Sequence, residues 1–121
     1  MLGLLIAGIV ALIAAGCVVA YAIILTFRWL RNKIKEKLAA KKAKKVAVVD
    51  LEELIESCEN EYTMDEFEKL SDQGYTHLMA TVDESGKVSD VDVIRDTGDT
   101  IDEEVEEFIN RTGEGMVVVT G

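Results

Sequence analysis

The sequence predicts an α+β protein. An N-terminal transmembrane helix continues into a basic neck helix. A small domain follows, with a β-hairpin, about three helices and a closing C-terminal strand. Three observations carry this expectation. No charged side chain occurs from Leu2 to Phe27. Nine of the thirteen Lys and Arg residues lie in residues 28–45, which carry +8. Residues 46–121 carry −18 and alternate between helical and strand-like apolar periods.

Residues 1–27 are read as the span. At about 1.5 Å per residue the uncharged stretch reaches roughly 39 Å as a helix, more than the ~30 Å hydrocarbon core of a bilayer. No basic residue precedes it, so it lacks the n-region of a cleavable signal peptide. Ala14-Ala15-Gly16-Cys17 resembles a lipobox, but Val18-Val19-Ala20-Tyr21 stay apolar after it. The predicted state is therefore an uncleaved, single-pass anchor in the cell membrane. Lys and Arg remain on the cytoplasmic side, so the N-terminus should lie outside and the C-terminal domain in the cytoplasm. Gly3, Ala7, Ala11 and Ala15 recur every fourth residue, and Gly8 and Gly16 form a neighbouring line. Such small faces let helices approach closely in lipid, so these six residues are expected to pack span against span.

Residues 28–45 are read as a juxtamembrane helix. Leu30, Ile34 and Leu38 form a narrow apolar stripe, and the remaining faces are basic. Arg28, Trp29, Arg31, Lys33, Lys35 and Lys37 are the expected contacts to lipid headgroups.

Residues 46–121 are read as an acidic α+β domain. Val46-Ala47-Val48-Val49 is a short β-branched run. Asp50 and Glu53 form a capping-box pair before Leu51, Leu54, Ile55 and Cys58, the apolar face of a helix. That spacing makes Cys58 a core residue; with Cys17 inside the expected span and Cys58 in the soluble domain, no disulfide is expected. Thr63 and Glu66 predict a second cap, ahead of Met64, Phe67 and Leu70, with Gly74 as the stop. Leu78, Ala80 and Val82 alternate with His77, Met79 and Thr81, which places His77 on the solvent side of a strand. Asp83-Glu84-Ser85-Gly86-Lys87 is a turn, and Val88 to Ile94 returns as the second strand of a hairpin. Thr100 with Glu103 predicts a third helix with Ile101, Val105, Phe108 and Ile109 inward, stopped at Thr112-Gly113-Glu114-Gly115. Met116 to Thr120 closes the domain as a strand beside the hairpin.

The run from Ala80 to Ile94, with its Asp83-x-x-Gly86-x-Val88 turn, is followed by the Glu103–Ile109 helix and a last strand. Residues 76–120 resemble the C-terminal domain of TonB- and TolA-type proteins. That resemblance implies an envelope transducer whose domain lies outside the cytoplasm and adds a strand to a partner.

The residues supply little for catalysis. His77 is the sole histidine, the serines lack a nucleophile elbow, and no glycine-rich loop precedes a helix. No catalytic residue and no cofactor is predicted. Asp90, Asp92, Asp96, Asp99 and Asp102 form the one acidic cluster with the oxygen ligands a hard cation needs, without EF-hand spacing. The acidic surface excludes nucleic acid as a partner. The expected function is non-catalytic: a membrane-anchored assembly or adaptor protein. Its expected partners are membrane lipids, further copies of itself or a larger membrane complex, and a basic protein. An oligomeric pore formed by the span is the remaining alternative.

Overall fold

The computed structural model describes residues 2–112 and 115–121. Its elements in chain order are α1 (Leu2–Ala14), β1 (Val18–Ile23), α2 (Phe27–Leu38), β2 (Ala43–Asp50), α3 (Leu51–Cys58), α4 (Asp65–Asp72), β3 (His77–Asp83), β4 (Val88–Asp96), α5 (Glu103–Ile109), a single 3-10 turn (Asn110–Thr112) and β5 (Met116–Thr120). The strands form one mixed sheet in the order β1-β4-β3-β2-β5. β1 is parallel to β4, and every other neighbouring pair is antiparallel. β1 and β2 therefore point the same way, with the β3–β4 hairpin between them. Helix α2 makes the connection over the top of that hairpin.

Helices cover both faces of the sheet. On one face α1, α3 and α4 deliver Ile6, Ile9, Leu54 and Phe67 onto Val49, Leu78, Ala80 and Val93. On the other, α2 and α5 deliver Leu30, Ile34, Val105 and Ile109 onto Val46, Val48, Met79 and Ile94. Central strands covered on both sides bury consecutive residues, not alternate ones. β3 is buried from His77 through Val82. The strand period was legible, but the second covering layer reverses the expectation that His77 faces solvent.

The largest correction concerns the N-terminus. No described helix is long and apolar enough to cross a membrane. The transmembrane helix, and with it the membrane-anchored, single-pass architecture, is overturned. α1 stops at Ala14, and Gly16 turns the chain with a φ of +75°. Such a φ suits glycine because no Cβ meets the following carbonyl. The β-branched Val18 and Val19 then enter β1. An uncharged stretch demands shelter from water, and here a sheet and its helices supply much of it. Gly8 is one reason α1 sits so close to β4: a Cβ there would lie 2.7 Å from Val88 Cγ2.

The basic neck helix is also shorter than expected. α2 starts behind Thr26, whose side chain accepts from Trp29 N–H, and ends at Leu38. Residues 43–45 belong to β2 instead. The stripe of Leu30 and Ile34 packs onto the sheet. Lys37, in the last turn of α2, places its ammonium 2.8 Å from Asp92 Oδ2 on β4, with Asp92 almost fully buried. This ion pair ties the crossover helix to the strand beneath it.

The acidic segment follows its sequence more closely. Asp50 caps α3 by accepting from Glu53 N–H, as the capping pair predicts. The hairpin turn is held by Asp83 Oδ1, which accepts from Ser85 N–H, Ser85 Oγ–H and Lys87 N–H. The Ser85 hydrogen bond, aided by these others, lowers the Asp83 pKa. Two caps differ. α4 begins at Asp65 after Met64, not at Thr63, and α5 is capped by Asp102, not Thr100. Because the Asp102 carboxylate caps the helix by accepting from Glu104 and Val105 N–H, Ile101 stays outside it and is 66% exposed. β5 pairs with β2 at the sheet edge opposite β1, and pairs with neither strand of the hairpin. The expected stop at Gly113 and Glu114 lies outside the described residues.

Candidate functional site

Two surface features stand out once the layers are in place. The first is a cleft of about 360 Å³ at the end of the sheet where β2 finishes and β3 begins. Asp50 and His77 are cross-strand partners there, so their side chains share one face. The loop after β4 adds Asp96 and Asp99, α3 adds Glu52, and α5 adds Glu106. Among the described residues no Lys or Arg lines the cleft. Arg95 stands at its border: its guanidinium lies 5.1 Å from the ring centre of Tyr75, a lining residue, and donates to Gln73 O.

His77 sits at the back of this cleft, 7% exposed. Its Nδ1 lies 2.7 Å from Thr76 Oγ1. Thr76 Oγ1 receives Asp96 N–H at 3.2 Å and lies 3.3 Å from Ile94 O. A hydroxyl has one proton to give, so it donates either to Ile94 O or to His77 Nδ1. His77 Nε2 is buried and has no hydrogen-bond partner among the described residues. Burial lowers the imidazole pKa against the opposing pull of Asp50 and Asp96. Glu106 moves the other way, raised first by burial and then by the charge of Asp50 and Glu53. Burial is the first cause of both shifts; the negative charge nearby opposes it at His77 and adds to it at Glu106. The wall of the cleft sets these carboxylates beside the hydroxyl-bearing Ser71, Tyr75, Thr76 and Thr100.

The second feature is an uncharged surface. Leu4, Ala7, Ala11 and Ala14 form the outward stripe of α1, with Leu4 78% exposed. Cys17, Val19 and Ile24 are exposed as well, the last two 54% and 65%, with Val19 on the α2 face of the sheet. β1 has a strand on one side only, so alternate peptide groups along its other side point outward. It carries no Lys, Pro or acidic residue to guard that edge.

The residues singled out from sequence distribute as follows. Gly3 faces the Tyr62 ring, Gly8 faces Val88, and Gly16 lies in the turn before β1. Ala7, Ala11 and Ala15 are exposed. The six expected headgroup contacts lie on α2. Trp29 meets the Tyr21 ring edge-on at 5.7 Å, and Lys33 Nζ lies 4.7 Å from the Tyr21 ring centre. Lys37 holds Asp92, Arg31 reaches toward the Phe27 ring, and Arg28 and Lys35 are exposed. The acidic cluster is dispersed. Asp92 faces Lys37, Asp96 Oδ1 accepts from Leu25 N–H and Gly98 N–H, and Asp102 accepts from Phe27 N–H and Glu104 N–H. Asp90 is exposed, and Asp99 lines the cleft. Among the described residues no three His, Cys, Asp or Glu side chains converge as metal ligands.

His77, Asp50 and Glu106 were not selected from the sequence as site residues. Asp50 was visible as a helix cap and His77 as a strand residue. What joins them is the β2–β3 register, fixed by contacts 27 positions apart. No protein-family model matches this chain, and no curated protein or solved structure shows significant similarity to it.

Proposed function

We propose that this chain is a non-catalytic assembly module that pairs with a second copy of itself through β1 and presents its acidic end to a basic protein partner. One observation carries the reading: the open, uncharged edge of β1, with Val19 exposed beside it. A chain with a net charge of −10 repels its own copies over most of its surface. The β1 edge is where two copies can approach without that cost. Antiparallel pairing of β1 with its two-fold mate gives the outward peptide groups partners and extends the sheet from five strands to ten. Val19 lies beside that seam and loses water as it forms.

Sedimentation equilibrium of the full chain tests this. The wild type is expected to run at the mass of a dimer, and Val19→Lys, which sets two like charges near the two-fold axis, at the mass of a monomer with an unchanged far-ultraviolet spectrum. A wild type that stays monomeric at high concentration, or a Val19→Lys chain that still dimerises, would overturn the proposal.

A further inference from the structure

We infer that the outer edge of β5 is a docking site that takes an extended segment of the partner protein as an added antiparallel strand. That segment carries an acid, an apolar residue and a base at alternate positions, in that order. The inference rests on the protein partner of the preceding section and names the part of it that is held.

The ladder between β2 and β5 fixes which peptide groups face outward. Asp50 N–H donates to Gly115 O at 2.8 Å, and Gly121 N–H donates to Lys44 O at 2.9 Å. Between these two bonds the register runs unshifted from Val49 with Met116 to Lys45 with Thr120. Bonded and non-bonded pairs alternate along an antiparallel ladder. Val117 and Val119 therefore bond to β2, while Val118 and Thr120 turn N–H and C=O to the open side. β5 has no other neighbour in the sheet and carries no Lys or Pro to guard this edge. Val118 is opposite the buried Ala47, on the α3 face of the sheet, and is itself 45% exposed. An incoming strand finds backbone partners and one apolar contact together.

Charge decides which strand fits. β5 starts at the acidic end of the molecule, where a Cβ on Gly115 would lie 2.6 Å from Cβ of the exposed Glu53. It finishes beside Lys45, the cross-strand partner of Thr120, and Lys44. Among the described residues no ion pair engages Glu53, Lys44 or Lys45. An added antiparallel strand runs from the lysines toward Glu53. Opposite Thr120 it suits an acid, opposite Val118 a β-branched residue, and opposite Met116 a base. A second copy of β5 carries neither charge at these positions, so the edge fits a different chain better than its own.

The full chain, labelled with nitrogen-15, is titrated with acetyl-Thr-Glu-Thr-Val-Thr-Lys-Thr-amide and with the same peptide in which Glu and Lys are exchanged. The first is expected to bind saturably and to slow amide exchange at Val118 and Thr120 about tenfold. The exchanged peptide is expected to bind about tenfold more weakly, and Glu53→Lys combined with Lys45→Glu to reverse that order. N-methylation of the peptide's valine removes the N–H that meets Val118 O and is expected to abolish binding with the protein unaltered. Equal affinities for the two charged arrangements, an N-methyl peptide that still binds, or exchange at Val118 and Thr120 that no peptide slows would overturn the inference. Protection of both amides before peptide is added would place a second copy on this edge and would also overturn it. The same titration on Val19→Lys separates the two proposals: β5 is expected to bind in the monomer as it does in the dimer.

Discussion

Lys37→Met is expected to destabilise the fold by about 3 kcal/mol, because it leaves the Asp92 carboxylate buried without its counter-charge. Asp92 lies between Met79 on β3 and Val19 on β1, beneath α2, so water does not readily replace the lost ammonium. The cost belongs to the orphaned charge and not to the pair itself. A second change makes the distinction: Lys37→Met combined with Asp92→Leu is expected to regain most of the lost stability, since an apolar pair suits the Met79 and Ile94 layer. Urea midpoints of the three chains check this. A single variant with wild-type stability would show that the ion pair is solvated and incidental. A double variant as weak as the single would assign Lys37 a packing role instead.

Gly115→Ala is expected to be comparably severe. Gly115 has a φ of +75°, and a Cβ there would lie 2.6 Å from both Glu53 Cβ and Leu54 N in the first turn of α3. One of those neighbours is backbone and cannot rotate away. Gly115 O also accepts from Asp50 N–H at 2.8 Å, so its position fixes the join between β2, α3 and β5. Left-handed strain of about 1 kcal/mol and overpacking of about 2 kcal/mol act together. A fall in melting temperature of roughly 10 °C follows for a domain of this size. Scanning calorimetry reads it directly. A shift of only a degree or two would mean that α3 can back away from this residue.

The acidic segment was legible because its signals are local. Asp50 and Glu53 lie in one turn, Gly86 sits where the hairpin needs a positive φ, and Leu51, Leu54 and Cys58 repeat along one helix face. The two cap differences are also local: Asp102, two residues after Thr100, takes the cap of α5, and α4 starts after Met64 with no side-chain cap. Residues 2–27 were misread for a different reason. Hydropathy records that a segment avoids water, but not whether lipid or protein shelters it. Val18-Val19 and Gly16 carried the information that the run is broken, and length outweighed them. The cleft was not readable at all. It depends on Asp50 facing His77 across two strands, and on a third strand and α5 bringing Asp96 and Glu106 to the same end. The burial of His77 likewise follows from α2 and α5 covering a face that the strand pattern alone leaves open.

Everything proposed for the assembly surface depends on residues 18–23 being a strand at the sheet edge. Nuclear Overhauser contacts in the isotopically labelled full chain measure that directly. The fold predicts interstrand contacts between β1 and β4 in the parallel register Ala20 with Val93 and Tyr21 with Ile94, together with Tyr21–Trp29 ring contacts. Unbroken helical contacts from Ala14 through Ile23, with none to β4, would contradict it.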